Sequence, residues 1–300
     1  TDMVNYRRTG AWSGTTWTVS QNSQTPTTLS PFKYFTRWTQ AGTAQNAPND
    51  TSTTLQYKIE GQDMAHASWG TSDAKQCTLS FYVRCSQTGT FCVWTHSTDR
   101  HYVFEYTISA ANTWQRVTHT YTAPVNGQFS TDNNAGITFH FLIAGHAASG
   151  TYGGATTNTW SADGKRWTSN QSTAMSANAG ATWDVTGIQF EIGDIATPFE
   201  HRSYAEELSR CRRYFFALNN SNSVYYWFHP LSNNTNYRRC NITFPTTMRT
   251  GPTASELTGN NNGSSGTPTG TQHADPDHID IHWDSTGLVE LTHGHFSAEL

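Results

Sequence analysis

Charged side chains and long apolar runs are both scarce in this sequence. Only 13% of its 300 residues are Asp, Glu, Lys or Arg, against roughly 25% in an average soluble domain. The net charge of -4 and the pI near 6.3 leave no basic field that could hold a phosphate backbone. The longest apolar stretches, such as residues 137–144, are far shorter than the ~20 residues of a membrane-spanning helix. We therefore expect neither nucleic-acid binding nor membrane insertion.

Short-spaced cysteine pairs and a secretory signal are missing as well. The odd number of cysteines and the lack of any CxxC pair favour reduced, structural thiols over a metal finger. The chain opens on Thr-Asp-Met and a polar run, so we expect no secretory signal at this end and a start inside a longer polypeptide. The five cysteines are Cys77, Cys85, Cys92, Cys211 and Cys240.

Motifs of known catalytic sites do not occur in the sequence either. There is no nucleophile elbow, no phosphate-binding glycine loop and no HExxH motif. Paired carboxylates could serve as general acid and base, but we expect those present to be solvated or structural. We therefore expect a protein that is not an enzyme. The visible pairs are Glu60 with Asp63, Asp184 with Glu191, and Asp275 with Asp277.

Aromatic residues, in contrast, make up 13% of the chain, and Thr, Ser, Asn and Gly replace the missing charges. From about residue 50 to residue 195, short runs alternate large apolar with polar residues between turn-forming clusters, which is typical of half-buried strands. Leu79, Phe81 and Val83, for example, share one face of a strand. Tyr82 and Arg84 share the other face.

The number and spacing of these runs indicate a mainly β fold. Residues 87–89 (Gln-Thr-Gly) separate the strand above from one in which Phe91 and Val93 oppose Trp94 and His96. We expect a short hairpin turn between the two strands. Many short strands at this spacing predict an antiparallel β-sandwich of the jelly-roll type, with apolar faces packed between its sheets.

The pattern changes after Pro198. Residues 203–206 have the spacing of a capping box, and apolar residues follow at steps of four and three. We expect one amphipathic helix of about four turns, whose stripe either lies on its own domain or mediates self-association. Alternation around Ile279 and Ile281 predicts further strands in a smaller β-rich region. The stripe consists of Tyr204, Leu208, Cys211, Phe215 and Leu218.

Residues 187–216, GIQFEIGDIATPFEHRSYAEELSRCRRYFF, resemble a junction found in tail-fibre and minor structural proteins of bacteriophages, notably marine ones. In that family, Q-x-E-x-G-x-x-A-T-P-F-E-x-R closes a jelly roll like that of carbohydrate-binding modules, and E-L-x-x-C-x-R-Y opens a helix. The resemblance covers most of residues 55–255. Its other parts are residues 75–89, Thr113-Trp114, Phe244-Pro245, Met248-Arg249 and Pro252-Thr253.

The resemblance implies a homotrimeric structural protein of a virion, on the tail or as a capsid-surface fibre. Its implied partners are other virion proteins and a polysaccharide of the host cell surface. We expect residues 1–48 to be a connecting segment, 49–197 a carbohydrate-binding-like jelly roll, and 198–300 a helix with a small trimer-forming β domain. The alternatives are an extracellular carbohydrate-binding module of a polysaccharide-degrading enzyme, a capsid-decorating fibre without receptor role, and a fibre depolymerase.

A sugar site needs flat rings and a few polar groups on a rigid concavity. Residues 145–182, rich in Gly, Ser and Thr, are expected to form a surface loop with exposed aromatic side chains above one sheet face. The alternative is that these side chains belong to the core or to trimer contacts. The face would hold Tyr82, Arg84, Trp94, His96, His140 and Gln189, and the loop Tyr152, Trp160 and Trp167.

No cofactor is required by the sequence, but two candidate metal sites can be drawn from its residues. His293 and His295 fall on one face of a strand, so three copies on a threefold axis could offer six nitrogens to one octahedral ion. Some phage fibre tips are similar to this arrangement; the alternative is exposed or hydrogen-bonded histidines. Carbohydrate-binding jelly rolls often hold a structural calcium, for which Glu60 or Asp184 could serve here. No cofactor beyond these ions is expected.

Overall fold

The computed structural model describes two compact units, one spanning Val4–Glu200 and the other beginning at His201. Among the described residues, no helix is long and apolar enough to cross a membrane. The described residues are 4–9, 16–25, 29, 31–47, 50–146, 150–219, 226–228, 238–261, 264–265, 268–284 and 289–299.

The first unit is a sandwich of two five-stranded antiparallel sheets. Sheet A has the order β1-β4-β9-β6-β7, and sheet B the order β2-β3-β10-β5-β8. This confirms the predicted antiparallel jelly roll. The strands are β1 (Val4–Thr9), β2 (Trp17–Ser23), β3 (Tyr34–Gln40), β4 (Ser52–Glu60), β5 (Cys77–Cys85), β6 (Gly89–His96), β7 (His101–Ile108), β8 (Gln115–Tyr121), β9 (Ala135–Gly145) and β10 (Thr182–Ile192), with short helices α1 (Gly61–Met64) and α2 (Ala174–Ala177) and a 3₁₀ turn (Ala65–Ala67).

The core lies between the two sheets and is built from the alternating apolar residues. Phe81 of β5 and Phe141 of β9 face each other across the sandwich, with ring centroids 5.0 Å apart, and both are fully buried. Trp183 of β10 is buried beside them and donates from Nε1 to the hydroxyl of Tyr106, 3.1 Å away. Each ring removed from water in this way stabilises the fold by roughly 2–3 kcal/mol.

The expected hairpin at residues 87–89 is wrong. β5 belongs to sheet B and β6 to sheet A, so the connection crosses from one sheet to the other. Alternation identifies the buried face of a strand, but both sheets bury a face in the same core. The alternation of apolar residues therefore did not show which strands pair with each other.

The expectation of a connecting segment at residues 1–48 is also wrong. β1 pairs with β4 along its whole length, and β3 lies between β2 and β10. The N-terminal strands therefore complete both sheets of the sandwich. Trp38 of β3, which is 1% exposed, contributes to the same core as Phe81 and Phe141.

The second unit contains one helix and two antiparallel sheets. Sheet C has the order β11-β18-β14-β15, with β12 also pairing with β18, and sheet D has the order β13-β17-β16. The elements are α3 (Tyr204–Arg212), β11 (Phe215–Asn219), β12 (Tyr226–Phe228), β13 (Arg238–Thr243), β14 (Thr253–Asn261), β15 (Ser264–Ser265), β16 (Gly270–Gln272), β17 (His278–Trp283) and β18 (Val289–Ser297).

The helix begins where the capping box predicts but is shorter than expected. The Ser203 hydroxyl accepts a hydrogen bond from the Glu206 backbone N–H, which satisfies one of the free donors of the first turn. The helix ends at Arg212, whereas Phe215 and Leu218 lie on β11, which pairs with β18. The four-turn stripe is therefore wrong, because pairing with a distant strand ended the helix early.

All five cysteines lie in the described ranges, and none of them is in a disulfide. Cys77, Cys85, Cys92 and Cys240 are buried. Burial raises the pKa of the Cys77 thiol to about 12 and the pKa values of Cys85 and Cys92 to about 11. These side chains are protonated at neutral pH and pack as small apolar groups.

Candidate functional site

The residues expected on one glycan-binding face lie on two opposite faces of the sandwich. Tyr82, Arg84 and Gln189 are on the outer side of sheet B, because β5 and β10 belong to it. β6 and β9 belong to sheet A, so the outer face of that sheet has the remaining three residues of the set. The single face was therefore a wrong prediction, and the cause is the same crossover that excludes the hairpin. The residues on sheet A are Trp94, His96 and His140.

The outer face of sheet A has a stack of four aromatic rings. The centroid of the Trp94 ring lies 4.0 Å from that of His140, 4.7 Å from that of His96 and 5.8 Å from that of His101. Trp94 also donates from Nε1 to His101 Nδ1 over 3.1 Å, and burial lowers the pKa of His101. His140 is fully buried, and Trp94 is 4% exposed. These two rings are not accessible to a ligand.

A loop covers this stack and turns it into a second small core. The Arg166 guanidinium lies over the Trp94 ring at 4.9 Å and over the Tyr152 ring at 3.6 Å. Trp167 is 1% exposed and belongs to the same buried cluster as Trp94. The backbone of His101 on the edge strand β7 exchanges hydrogen bonds with the loop. The expectation of exposed loop aromatics is therefore wrong for Trp167.

Trp160 lies at the end of the main core and not above a sheet face. Its ring centroid is 5.4 Å from that of Trp69 and 5.0 Å from that of Tyr102. Its Nε1 donates to the backbone oxygen of Thr122 over 2.7 Å. The loop that contains Trp160 is thus anchored by aromatic packing.

The outer face of sheet B is centred on an ion triad. Asp184 of β10 accepts hydrogen bonds from Arg37 of β3 at 2.7 and 2.8 Å and from Arg84 of β5 at 2.8 Å. The Arg84 guanidinium lies over the rings of Phe35 and Trp114, at 5.0 and 4.7 Å from their centroids. The Arg84 side chain is therefore held by contacts on the outer face of sheet B.

The ion triad also affects whether Asp184 can bind calcium. Two guanidinium groups already neutralise the Asp184 carboxylate, which does not suit a calcium ligand, since calcium needs carboxylate oxygens free to coordinate it. Glu60 is fully buried and accepts a hydrogen bond from Gln62 Nε2 over 2.7 Å. The expectation of Asp184 as a calcium ligand is wrong.

Tyr82 and Gln189 hold chain segments on the outer face of sheet B. The Tyr82 ring contacts that of Phe32 at 5.2 Å. The Gln189 amide donates to Glu191 at 3.0 Å and to Thr197 at 3.1 Å, and its oxygen accepts from the backbone N–H of Glu200. These contacts fix the last residues of the first unit.

The other carboxylates considered for catalysis also hold backbone. Glu191 accepts hydrogen bonds from the backbone N–H and the hydroxyl of Thr197 at 2.9 and 2.7 Å. Asp275 accepts from the backbone N–H groups of Asp277 and His278, both at 2.9 Å. These hydrogen bonds fix the backbone next to each carboxylate.

The predicted residues of the second unit are distributed over the helix and the strands. Tyr204 of α3 is 81% exposed, whereas Leu218 of β11 is buried. Leu208, Cys211 and Phe215 are half-buried. His293 and His295 lie side by side on β18, with ring centroids 4.7 Å apart.

A pocket that the sequence did not reveal lies at one end of the sandwich. Its volume is about 320 Å³, at the lower end of the range for small-molecule sites. Phe129 is half-buried at its wall, and its ring makes a T-shaped contact with that of Trp69, with centroids 5.5 Å apart. Hydroxyl groups and one carboxylate surround these rings. The polar lining residues include Ser68, Thr71, Asp73, Ser130 and Thr131.

Close backbone packing makes both walls of this pocket rigid. Gly70 has a φ of +87°, and a Cβ there would lie 2.6 Å from the Gly127 carbonyl oxygen. On the other wall, a Cβ at Gly61 would clash with the Ser130 carbonyl oxygen. Trp69 is further held by a 2.7 Å hydrogen bond from Nε1 to the Lys75 backbone oxygen. The pocket is therefore preformed, which lowers the entropic cost of binding.

Comparison with known proteins found no family model and no curated protein that matches this chain. Among solved structures, the enzymatically active domain of bacteriophage CBA120 tailspike protein 4 matches 63% of this chain at 11% identity and a TM-score of 0.35. This chain covers only 19% of that domain.

Two carbohydrate-binding modules are similar over a comparable part of the chain. The family 11 module of a cellulosomal cellulase from Clostridium thermocellum matches 65% of this chain and 89% of its own length, at 11% identity and a TM-score of 0.32. The module TmCBM61, solved with β-1,4-galactotriose, matches 64% and 91%, at 9% identity and a TM-score of 0.33. Because all these TM-scores lie below 0.5, none of these similarities supports a function for this chain.

Proposed function

We propose that this protein is a non-enzymatic fibre protein of a bacteriophage virion, and that its end pocket binds a sugar residue of a host surface polysaccharide. The pocket is the observation that supports glycan binding, since it combines an accessible ring with hydroxyls and a carboxylate on a rigid frame. The virion role is supported by the resemblance of residues 187–216 to the phage fibre junction.

The chemistry of the pocket suits a pyranose. A sugar ring has apolar C–H faces that pack on an aromatic ring, and hydroxyls that donate to carboxylates and exchange hydrogen bonds with Ser and Thr. Phe129 offers the ring, and Trp69, which is 6% exposed, positions it. Asp73 is exposed at the rim and can accept from two adjacent hydroxyls. A volume of about 320 Å³ suits a single residue or chain end more than a long chain.

Replacing Asp73 with Ala is expected to weaken glycan binding about tenfold or more, because a hydrogen bond to a charged group contributes about 1.5–3 kcal/mol. Binding is first detected on a glycan array, and the dissociation constant is then measured by calorimetry with the soluble glycan. Phe129→Ser should weaken binding by a similar factor. The melting temperature of Asp73→Ala should match that of the unsubstituted protein, since its carboxylate is at the surface.

Asp194→Ala is the matched control, because Asp194 is an exposed carboxylate outside the pocket. It should leave the dissociation constant unchanged. A detected glycan whose affinity is insensitive to both pocket substitutions would disprove the pocket assignment. The absence of any bound glycan across host polysaccharides would refute the adhesion role.

The alternatives differ in assembly and in chemistry. A carbohydrate-binding module of a polysaccharide-degrading enzyme would bind through the same pocket as a monomer. A capsid-decorating fibre without receptor role would assemble but bind no glycan. A depolymerase would release reducing ends from the host polysaccharide, which a sugar-release assay detects.

Self-association is the second part of the proposal, and helix α3 is the element that supports it. All nine residues of α3 are described, and none of them is buried. Light scattering at micromolar concentration should give three times the 33.3 kDa of one chain. Substituting Tyr204 and Leu208 with Ser should reduce the mass to that of one chain, because the apolar side chains would no longer pack between copies. A mass of 33.3 kDa for the unsubstituted protein would contradict the trimer.

A further inference from the structure

The second unit places two histidines and a carboxylate at one point of sheet C. β18 lies between β11 and β14 in this sheet. His293 and His295 are two residues apart on β18, so both imidazoles project from the same face. The ring of Phe215 on β11 lies beside His295, with centroids 5.3 Å apart. The neighbouring strand β14 provides the carboxylate, at a position where its pairing with β18 is irregular.

A β-bulge directs Glu256 towards the two histidines. Ser255 pairs with His295 and Thr258 with His293, so two residues of β14 face the single residue between the histidines. Glu256 is the first residue of this bulge and has a φ of 52°, a left-handed conformation that is uncommon for a glutamate. Such a conformation costs free energy and persists where surrounding contacts impose it, often at functional sites.

Gly294, between the two histidines, must be a glycine because Leu257, the second residue of the bulge, lies close beside it. A Cβ at Gly294 would lie 2.9 Å from Leu257 Cδ2 and 3.2 Å from Phe296 Cζ. Leu257 packs against the core of this unit through the space that the glycine leaves open. Leu257 therefore points inward, whereas the Glu256 carboxylate lies beside the two imidazoles. His-Gly-His and the bulge are therefore parts of one arrangement.

The distances between the three side chains match those between ligands of one metal ion. Glu256 Oε2 lies 3.4 Å from His293 Nε2 and 3.1 Å from His295 Nδ1. One ligand atom from each residue lies within 4.8 Å of the other two. Two ligands bound to zinc at about 2.0–2.1 Å in tetrahedral geometry are roughly 3.3 Å apart. A small inward movement of the side chains would complete three such bonds.

We propose that Glu256, His293 and His295 bind one divalent transition-metal ion of the zinc class within each chain. Two imidazole nitrogens and one carboxylate oxygen form a donor set that zinc accepts, and three protein ligands leave a fourth position for water. The side chains are 65%, 29% and 28% exposed for Glu256, His293 and His295, so an ion can enter from solvent. This site differs from the expected one on a threefold axis, because it is complete within a single chain.

The proposal is tested by zinc binding to the full chain, expressed without a polyhistidine tag and dialysed against a chelator. Equilibrium dialysis with elemental analysis should give one zinc ion per chain. Zinc should also raise the melting temperature, because an ion that binds only the folded state stabilises it. Cobalt in place of zinc should show the visible absorption of a four-coordinate site.

Glu256→Gln, His293→Ala and His295→Ala should each weaken zinc binding at least about tenfold and abolish the zinc-dependent rise in melting temperature. His273→Asn is the matched control, because His273 is exposed in the same unit and outside the cluster; it should bind zinc unchanged. One ion per three chains, unaffected by Glu256→Gln, would overturn the proposal in favour of an axial histidine site. No bound zinc at micromolar concentration would overturn it outright.

Discussion

Asp184→Asn is expected to lower the free energy of unfolding of the sandwich by about 3 kcal/mol. For a unit of this size, that loss corresponds to a decrease of roughly 6–12 °C in melting temperature. Urea titration followed by tryptophan fluorescence measures the free energy, and calorimetry measures the melting temperature. The change retains the shape of the side chain, removes its charge and replaces one acceptor oxygen with an amide donor.

The expected size of this effect follows from the position of Asp184 on the central strand β10. Its side chain is 1% exposed and receives Arg37 from β3 and Arg84 from β5. The hydrogen bonds that Arg37 donates to Asp184 raise the pKa of Arg37. Without the carboxylate, two guanidinium groups face each other in a partly buried space, and removing one partner of a buried pair costs about 3–5 kcal/mol. Partial exposure of both arginines puts the expected value at the lower end.

Two further variants separate the charge effect from packing. Asp63→Asn removes an exposed carboxylate of α1 and should change stability by less than about 0.5 kcal/mol. Replacing the whole triad, with Arg37→Met, Asp184→Leu and Arg84→Met, should destabilise less than Asp184→Asn alone, because no unpaired charge remains. A loss below about 1 kcal/mol for Asp184→Asn would mean that solvent already screens the triad.

Acidification from pH 7 to pH 4.5 is expected to lower the stability of the sandwich by roughly 2 kcal/mol through His119 alone. The His119 ring stacks on Phe104 with centroids 4.0 Å apart, and Nε2 lies 3.1 Å from the Tyr102 hydroxyl. Burial lowers the pKa of His119 from 6.5 to about 4. The imidazole is therefore neutral in the folded protein.

The direction of the effect follows from proton uptake. Below pH 6.5 the unfolded chain binds a proton at His119, and the folded chain does not bind it until about pH 4. Stability contributed by this residue is therefore fully present above pH 6.5 and falls as the pH decreases through this window. Urea titrations at half-unit intervals between pH 4 and pH 8 measure the slope.

His119→Phe tests the assignment, because it retains an aromatic ring on Phe104 and removes the titrating group. The variant should show a flatter dependence of stability on pH between 4 and 6.5. A residual slope is expected from His101, whose pKa burial also lowers. His66→Gln, at an exposed histidine, should retain the full slope. Equal slopes in His119→Phe and the unsubstituted protein would show that other groups cause the acid sensitivity.

Features that depend on neighbouring residues could be predicted from the sequence. The alternation of Leu79, Phe81 and Val83 identified the buried face of β5, because successive side chains of a strand point to opposite sides. The capping box at Ser203 identified the start of α3, because the cap and its partner are three residues apart. His293 and His295 were placed side by side for the same reason as the residues of β5.

Features that depend on distant segments could not be predicted. Trp167 lies in a Gly- and Ser-rich loop that looked exposed, yet the loop folds back onto Trp94 and buries the ring. The pocket joins Trp69 to Phe129, which are 60 residues apart in the sequence. No local pattern connects these two segments, because their contact arises from the packing of Gly70 against Gly127.

The amino-acid sequence by itself determined several strands between residues 50 and 195, their buried faces, the first turn of the helix and the pairing of two imidazoles. All of these result from backbone geometry over a few residues. The tertiary structure decided which sheet holds each strand, and so placed Tyr82 and Trp94 on opposite faces. It also decided which residues join the histidines, since the bulge at Glu256 exists only where β14 pairs with β18. Pairing and packing between distant segments are the physical reason for this division.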